Sequence, residues 1–185
     1  VLQAEIERLL ASGLEFHPGR RLGRDFSLRE LRDQYPAVFL GPGTQRSREW
    51  SIDSATPRDL HVGLQLLKRW MDVGSMPSWS SVAIVGAGNT AIDLARVLKF
   101  SGVSEVHVIS HKAIPGPGVP PEDSMPAILR EIEQGIEEGI EIHEHRGVQR
   151  LILRSEKVVA VELVHMKKLA NSEGRLKRVA FEGTE

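Results

Sequence analysis

The sequence predicts an α/β protein, with a parallel sheet layered with helices and a small antiparallel meander after it. Three observations carry this. Val82-Ala83-Ile84-Val85 is a short apolar run ended by glycines; the helical pattern Ile92, Leu94, Ala95, Leu98 follows, and then a second run, Val106-His107-Val108-Ile109. Helix then strand recurs downstream, with Ile128, Leu129, Ile132 and Ile136 on the inner face of a helix ahead of Ile140-Glu141-Ile142-His143. Finally, the runs 151–153 and 158–164, and a weaker one near Val179, succeed one another with no helical stretch between them, as antiparallel strands do.

Taken in order, Leu2, Ile6, Leu9 and Leu10 share one face of an opening helix that stops at Gly13, and Leu14-Glu15-Phe16 reads as a brief strand. Ser27 and Glu30 stand at capping-box spacing, with Phe26 placed to staple onto Leu31, so a second helix starts there. Ala37-Val38-Phe39-Leu40, between Pro36 and Gly41-Pro42-Gly43, predicts a short buried strand ending in a tight turn. A polar stretch to about Thr56 is the candidate linker. Thr56-Pro57 then supplies an N-cap and a proline at the first helical position, with Leu60, Leu64, Leu67 and Met71 on one face up to Gly74. After the second strand, the Pro- and Gly-rich stretch 113–121 is a loop, either a lid or a rigid connection. The next helix begins about Met125 and closes at Gly139, and a polar turn falls at 171–174.

Composition narrows the function classes. The 185 residues include 24 Lys plus Arg and 25 Asp plus Glu, a formal charge of -1 that gives no broad phosphate-binding face, so no nucleic-acid partner is expected. Without cysteine there is no disulfide, thiolate metal site or Cys nucleophile. No apolar run is long enough to span a bilayer, and the acids Glu5 and Glu7 stand where a signal peptide would be basic or apolar; the expected location is the cytoplasm.

The chemistry concentrates at Gly86-Ala87-Gly88-Asn89-Thr90-Ala91. Between a strand and a helix, the first glycine permits the sharp turn and the second lets backbone approach a pyrophosphate. Ala91 is small where helix packs on sheet, and the helix N-terminus offers free N–H groups to the phosphates. Gly86, Ala87, Gly88, Asn89 and Thr90 are therefore the expected dinucleotide-binding residues of a Rossmann-like three-layer domain. At the end of the second strand an NAD site usually has an acid for the ribose 2′-hydroxyl. Here Ser110-His111-Lys112 stands instead, so His111 and Lys112 are expected to hold a 2′-phosphate, making the cofactor NADPH. The alternative for both is a solvated strand end.

These residues resemble the glutamate synthase small-subunit family of flavin-dependent pyridine-nucleotide oxidoreductases, whose NADPH-binding half also occurs in dihydropyrimidine dehydrogenase. The family's Gly-rich turn running into Asn-Thr-Ala, an apolar residue and Asp stands here as Gly86 through Asp93. Tyr35 through Gly43 is similar to its Tyr-Asp-Ala-Val-Phe-Leu-Ala-Thr-Gly, and Met125-Pro126-Ala127 and Val161-Glu162-Leu163-Val164-His165-Met166 also look like its segments. The resemblance implies that residues 1–50 are a partial FAD-binding domain segment and 51–185 an NAD(P)-binding domain inserted into it. It also implies that FAD belongs to the full-length protein, with its own Gly-rich turn upstream of Val1. NADPH would pass a hydride to that flavin, and an electron-accepting subunit is a possible partner. Two departures stand out. Gly41-Pro42 replaces Ala-Thr at a turn that faces flavin in the family, and Ser110-His111-Lys112 replaces an aromatic and two basic residues, exchanging an Arg fork for an imidazole.

Other candidates reduce to structure. His143 and His145, two apart on a strand, would share a face, but with no third ligand in view no metal site is expected. Asp93 is placed for the helix dipole rather than as a base. A self-sufficient dehydrogenase would need a proton donor, and the only tyrosine, Tyr35, precedes the motif without a suitably spaced Lys. No catalytic residue is assigned. The alternative to an oxidoreductase part is a non-catalytic dinucleotide-sensing or interaction module.

Overall fold

The computed structural model describes residues 2–43, 47, 50, 52, 57–170 and 176–184. The chain divides into two compact units, 1–44 and 45–185. No helix among the described residues is long and apolar enough to cross a membrane.

The first unit holds α1 (Leu2–Ala11), ended at Gly13 with φ +92, and α2 (Leu28–Gln34). The capping box forms as the spacing predicts: the Glu30 N–H donates to Ser27 Oγ at 3.1 Å, and the Ser27 N–H donates to Glu30 Oε2 at 2.6 Å. Two expected strands do not form. Residues 14–16 and 37–40 are irregular, and Phe39 is 94% exposed rather than buried. A strand is stable only when a neighbour pairs its backbone groups. Among the described residues of this unit the only such pairing is the isolated bridge between Leu22 and Phe26.

In the second unit, α3 (Gly63–Val73) precedes β1 (Ser81–Val85), α4 (Asn89–Phe100), β2 (Glu105–Ile109), α5 (Leu129–Glu137) and β3 (Ile140–His143). The three strands form a parallel sheet in the order β1-β2-β3. Alternation sends Val82, Ile84, Val106, Val108, Ile140 and Ile142 to one face, where Ile92, Leu94, Ala95 and Leu98 of α4 and Ile132 of α5 meet them in the core. Burying each large apolar side chain there contributes about 1.5–3 kcal/mol, so this face holds the sheet and helices together. The meander follows: β4 (Arg146–Arg154), β5 (Lys157–Ala170) and β6 (Leu176–Ala180), antiparallel and in that order. It approaches the parallel sheet at β2. The expected α/β fold with a parallel sheet and a small meander is the one found. The turn expected at 171–174 lies outside the described residues.

Two helices start later than their sequence signals. Thr56 lies outside the described residues, and α3 begins only at Gly63, because the segment from Pro57 is captured elsewhere. The Asp59 carboxylate accepts the Val158 N–H at 3.0 and 3.1 Å, the Arg58 N–H donates to the Glu156 carbonyl, and the Arg58 side chain pairs with Glu156 at 2.7 Å. The face turned inward is then Leu66 and Leu67, while Met71 is exposed. α5 starts at Leu129 instead of about Met125, since a residue before proline avoids the helical region and Pro126 imposes this on Met125. Only Ile132 and Gly135 of α5 are buried; Ile128, Leu129 and Ile136, expected inside, are exposed. At Gly135 an added Cβ would stand 3.0 Å from Ile140 Cδ1, so the helix sits too close to β3 for larger residues at its contact.

Candidate functional site

The glycine turn joins the carboxyl end of β1 to the N-terminus of α4. The Gly86 N–H donates to the Ile109 carbonyl at 3.0 Å, tying the turn to the end of β2. An added Cβ on Gly86 would lie 3.3 Å from the Ala91 Cβ, so both positions are held small by their contact. Gly88 is the N-cap of α4, in ordinary extended backbone at φ -95, ψ 173, and no side chain caps the helix. A Cβ built on Gly88 would meet nothing within 4 Å. The space in front of the helix is thus open at the position where a phosphate would need it.

Asn89 and Thr90 are exposed in the first turn. The Asn89 side chain also makes a tertiary contact, its Oδ1 accepting the Ile128 N–H at 3.0 Å, while the Ala127 N–H donates to the Ala87 carbonyl at 3.3 Å. These bonds clamp the segment entering α5 onto the glycine turn. Asn89 therefore has its backbone N–H, rather than its side-chain oxygen, to offer a ligand.

At the end of β2, Ser110 is 1% exposed, and its Oγ both donates to the Lys112 carbonyl and accepts the Lys112 N–H. It shapes the turn that presents His111 and Lys112 from the same strand end. His111 is exposed as a residue, yet its pKa is lowered from the ordinary histidine value, first by partial burial and then by the charges of Arg178 and Lys112. No sequence signal points to Arg178. It arrives on β6, pairs with Asp123 at 2.7 Å, and donates to the Glu122 carbonyl. Arg146, whose N–H donates to the Ser110 carbonyl, has a buried Nη1 with no hydrogen-bond partner among the described residues. Neither arginine could be found by spacing, since both come from the meander.

The loop after β2 is anchored at its neck. The Ala113 N–H donates to the Asp123 carbonyl and the Met125 N–H to the Ala113 carbonyl. Farther on, the Ile114 N–H donates to Glu144 Oε1 at 2.6 Å, and Asp123 pairs with Lys168 as well as Arg178. Its pKa is lowered, chiefly by the hydrogen bond from Lys168. This favours the rigid connection over a lid. His143 and His145 do not share a strand face: β3 ends at His143, and His145 sits in the turn with φ +52.

Comparison with known proteins bears on this arrangement. Residues 81–168, from the first residue of β1 into the meander, match the pyridine nucleotide-disulphide oxidoreductase family. This segment is similar to pyridine nucleotide-disulphide oxidoreductase domains. Around it, the chain is 29% identical over 170 residues to the NADPH-Fe(3+) oxidoreductase subunit beta of Geobacter sulfurreducens, covering 90% of this chain and 24% of that one. It is 28% identical over 190 residues to the NADP(+)-dependent formate dehydrogenase subunit beta of Moorella thermoacetica, covering 100% and 26%. It is 29% identical over 153 residues to the glutamate synthase (NADPH) small chain of Escherichia coli strain K12, covering 76% and 30%. The chain thus spans roughly a quarter of the length of these curated relatives. Among solved structures, Mycobacterium tuberculosis FprA in complex with NADPH matches at TM-score 0.61 and 15% identity, over 98% of this chain and 55% of that one, a likeness of fold. The similarity to glutamate synthase small subunits, visible in the residues from Gly86 to Asp93, extends over 76% of the chain.

Proposed function

We propose that this chain is the NADPH-binding part of an FAD-dependent oxidoreductase resembling the glutamate synthase small subunit, and that it orients the nicotinamide for hydride transfer to flavin. The observation that carries the reading is the open space at Gly88 before an uncapped helix N-terminus. There the backbone N–H groups of Asn89 and Thr90 hold the pyrophosphate, with Gly86 and Ala87 shaping the turn beneath it. His111 and Lys112 hold the 2′-phosphate from the end of β2. The unpartnered Arg146 Nη1 and the nearby Arg178 charge suit an anion in the same region.

NADPH, when bound, supplies the hydride; the chain's own residues bind and orient it. FAD belongs on a flavin domain of the same polypeptide, to which residues 1–50 contribute, with 51–185 as the nucleotide domain. Support comes from the relatives, whose names specify NADPH or NADP(+) and which are several times longer than the matched segment. That two of them are named as beta subunits supports an electron-accepting partner subunit.

Calorimetry with NADPH and NADH tests the binding step. Rapid mixing of the NADPH-loaded chain with a flavin domain of such a protein tests the transfer. Tight NADPH binding with flavin reduction supports the proposal. Binding without any reduction would leave a dinucleotide-sensing module, and no binding at all would sink both readings.

A further inference from the structure

The face of the parallel sheet opposite its helices carries a cluster that the dinucleotide site does not use. His107 lies on β2, and Glu141 and His143 lie two apart on β3, so period-2 alternation puts all three side chains on this face. The parallel register sets His107 directly across from Glu141 and Ile109 across from His143. One atom, His107 Nδ1, lies 3.1 Å from His143 Nε2 and 3.4 Å from Glu141 Oε2. The three ligand atoms all fall within 4.8 Å of one another.

We propose that His107, Glu141 and His143 form a binding site for a divalent transition metal ion of the zinc class. Nitrogen and carboxylate ligands bind zinc at about 2.0–2.2 Å in tetrahedral geometry. Two ligand atoms on such a tetrahedron stand about 3.3–3.6 Å apart; the His107–Glu141 separation of 3.4 Å matches this, and the His107–His143 separation of 3.1 Å would open by a few tenths of an ångström around an ion. Neutral imidazoles and an ionised carboxylate bring lone pairs and a single negative charge to one point. With no ion, the hydrogen bond between the two facing ring nitrogens needs a proton on one of them; a metal would displace that proton to solvent. Two imidazoles and a carboxylate form the donor set of a three-protein-ligand zinc site, whose fourth position goes to water. The Glu141 side chain is 68% exposed, so the site faces solvent and an ion can enter. The rings are already set, with centroids 5.3 Å apart.

The test is titration of the tag-free chain, freed of metal with a chelator, with zinc by calorimetry and with cobalt by visible absorption. One equivalent of zinc should bind, and cobalt should give the intense bands of four-coordination. Glu141→Gln, which leaves the fold intact because the side chain is mostly exposed, should weaken binding roughly tenfold or more, at least the scale seen when a ligand loses its supporting partner. His107→Gln and His143→Asn should abolish it. His17→Gln is the control, since the exposed His17 also pairs with a glutamate, at 3.6 Å, but has no third ligand among the described residues; it should bind as the unaltered chain does. Absence of uptake, which would mean a hydrogen-bonded histidine pair only, overturns the proposal. Uptake unchanged in Glu141→Gln also overturns it.

Discussion

Gly88 and His111 show what single residues would decide in the proposed dinucleotide site. Gly88 has an ordinary backbone conformation and no neighbour within 4 Å of a Cβ, so its glycine is not required by the fold. Gly88→Val should therefore unfold within about 2 °C of the unaltered chain, while its NADPH affinity falls at least tenfold, a loss of about 1.4 kcal/mol or more; calorimetry and thermal denaturation on the same samples check both. The lowered pKa of His111 makes its ring neutral at pH 7 in the free chain, so Lys112 and Arg178 carry the positive charge there. A bound 2′-phosphate favours the protonated ring, so NADPH binding takes up a proton wherever the free ring is neutral and the bound ring charged. The NADPH-to-NADH affinity ratio should then be nearly flat from about pH 8 to 7 and rise between about pH 7 and 6, where the phosphate begins its own second protonation near 6. Replacing His111 and Lys112 together with Ala should level the two affinities with NADH binding nearly intact; equal weakening of both nucleotides would remove these residues from the 2′-site.

At the scale of elements, β1, the glycine turn, α4 and β2 agree at every level. The apolar alternation, the turn residues and the helical face all point to one arrangement, and the structure adopts it. The segment 57–62 shows the opposite outcome. Proline after a threonine is a good helix start, but Asp59 gains a backbone N–H on β5 and Arg58 a carboxylate at the β4–β5 turn, and these outweigh a first helical turn. α5 is held mainly by one residue. Ile132 is fully buried between α4 and β3, whereas the Arg96–Glu138 pair joining α4 to α5 is about one-third exposed on both sides. Ile132→Ala should cost about 2–5 kcal/mol. Arg96→Ala should cost about 0–1 kcal/mol, since solvent screens such a pair. Urea denaturation distinguishes these, and a larger loss for Arg96→Ala would show that the ion pair, not packing, holds the helix. That pair also lowers the Glu138 pKa, through its hydrogen bond to Arg96. Its contribution is present above the ordinary glutamate range and fades as pH falls through the lowered value.

For the molecule as a whole, the proposed binding residues all belong to the unit 45–185. A ligand stabilises what it binds, by about 2.7 kcal/mol at a hundredfold excess over Kd. NADPH at that concentration should raise the unfolding temperature of this unit by roughly 5–10 °C. Hydrogen exchange should slow at the start of α4 and the end of β2 and leave 2–43 unchanged; protection confined to 2–43 would place the site in the other unit.

The parallel strands, the α4 helix and the glycine turn were legible from the sequence because each is specified within a few neighbouring residues: alternation, capping and a turn chemistry that only small residues satisfy. The expected strands at 14–16 and 37–40 were not decided locally, since an apolar run becomes a strand only if another strand pairs with it. The candidate nucleotide site divides in the same way. Gly86 to Thr90, His111 and Lys112 are contiguous and could be read. Arg146 and Arg178 approach Ser110 and His111 only through the meander. The clamp from Asn89 to Ile128, and the meeting of His107 with Glu141 and His143, depend on tertiary structure for the same reason. Each joins residues far apart in the chain, and only the register of β2 on β3 and the packing of α5 bring their atoms within bonding distance.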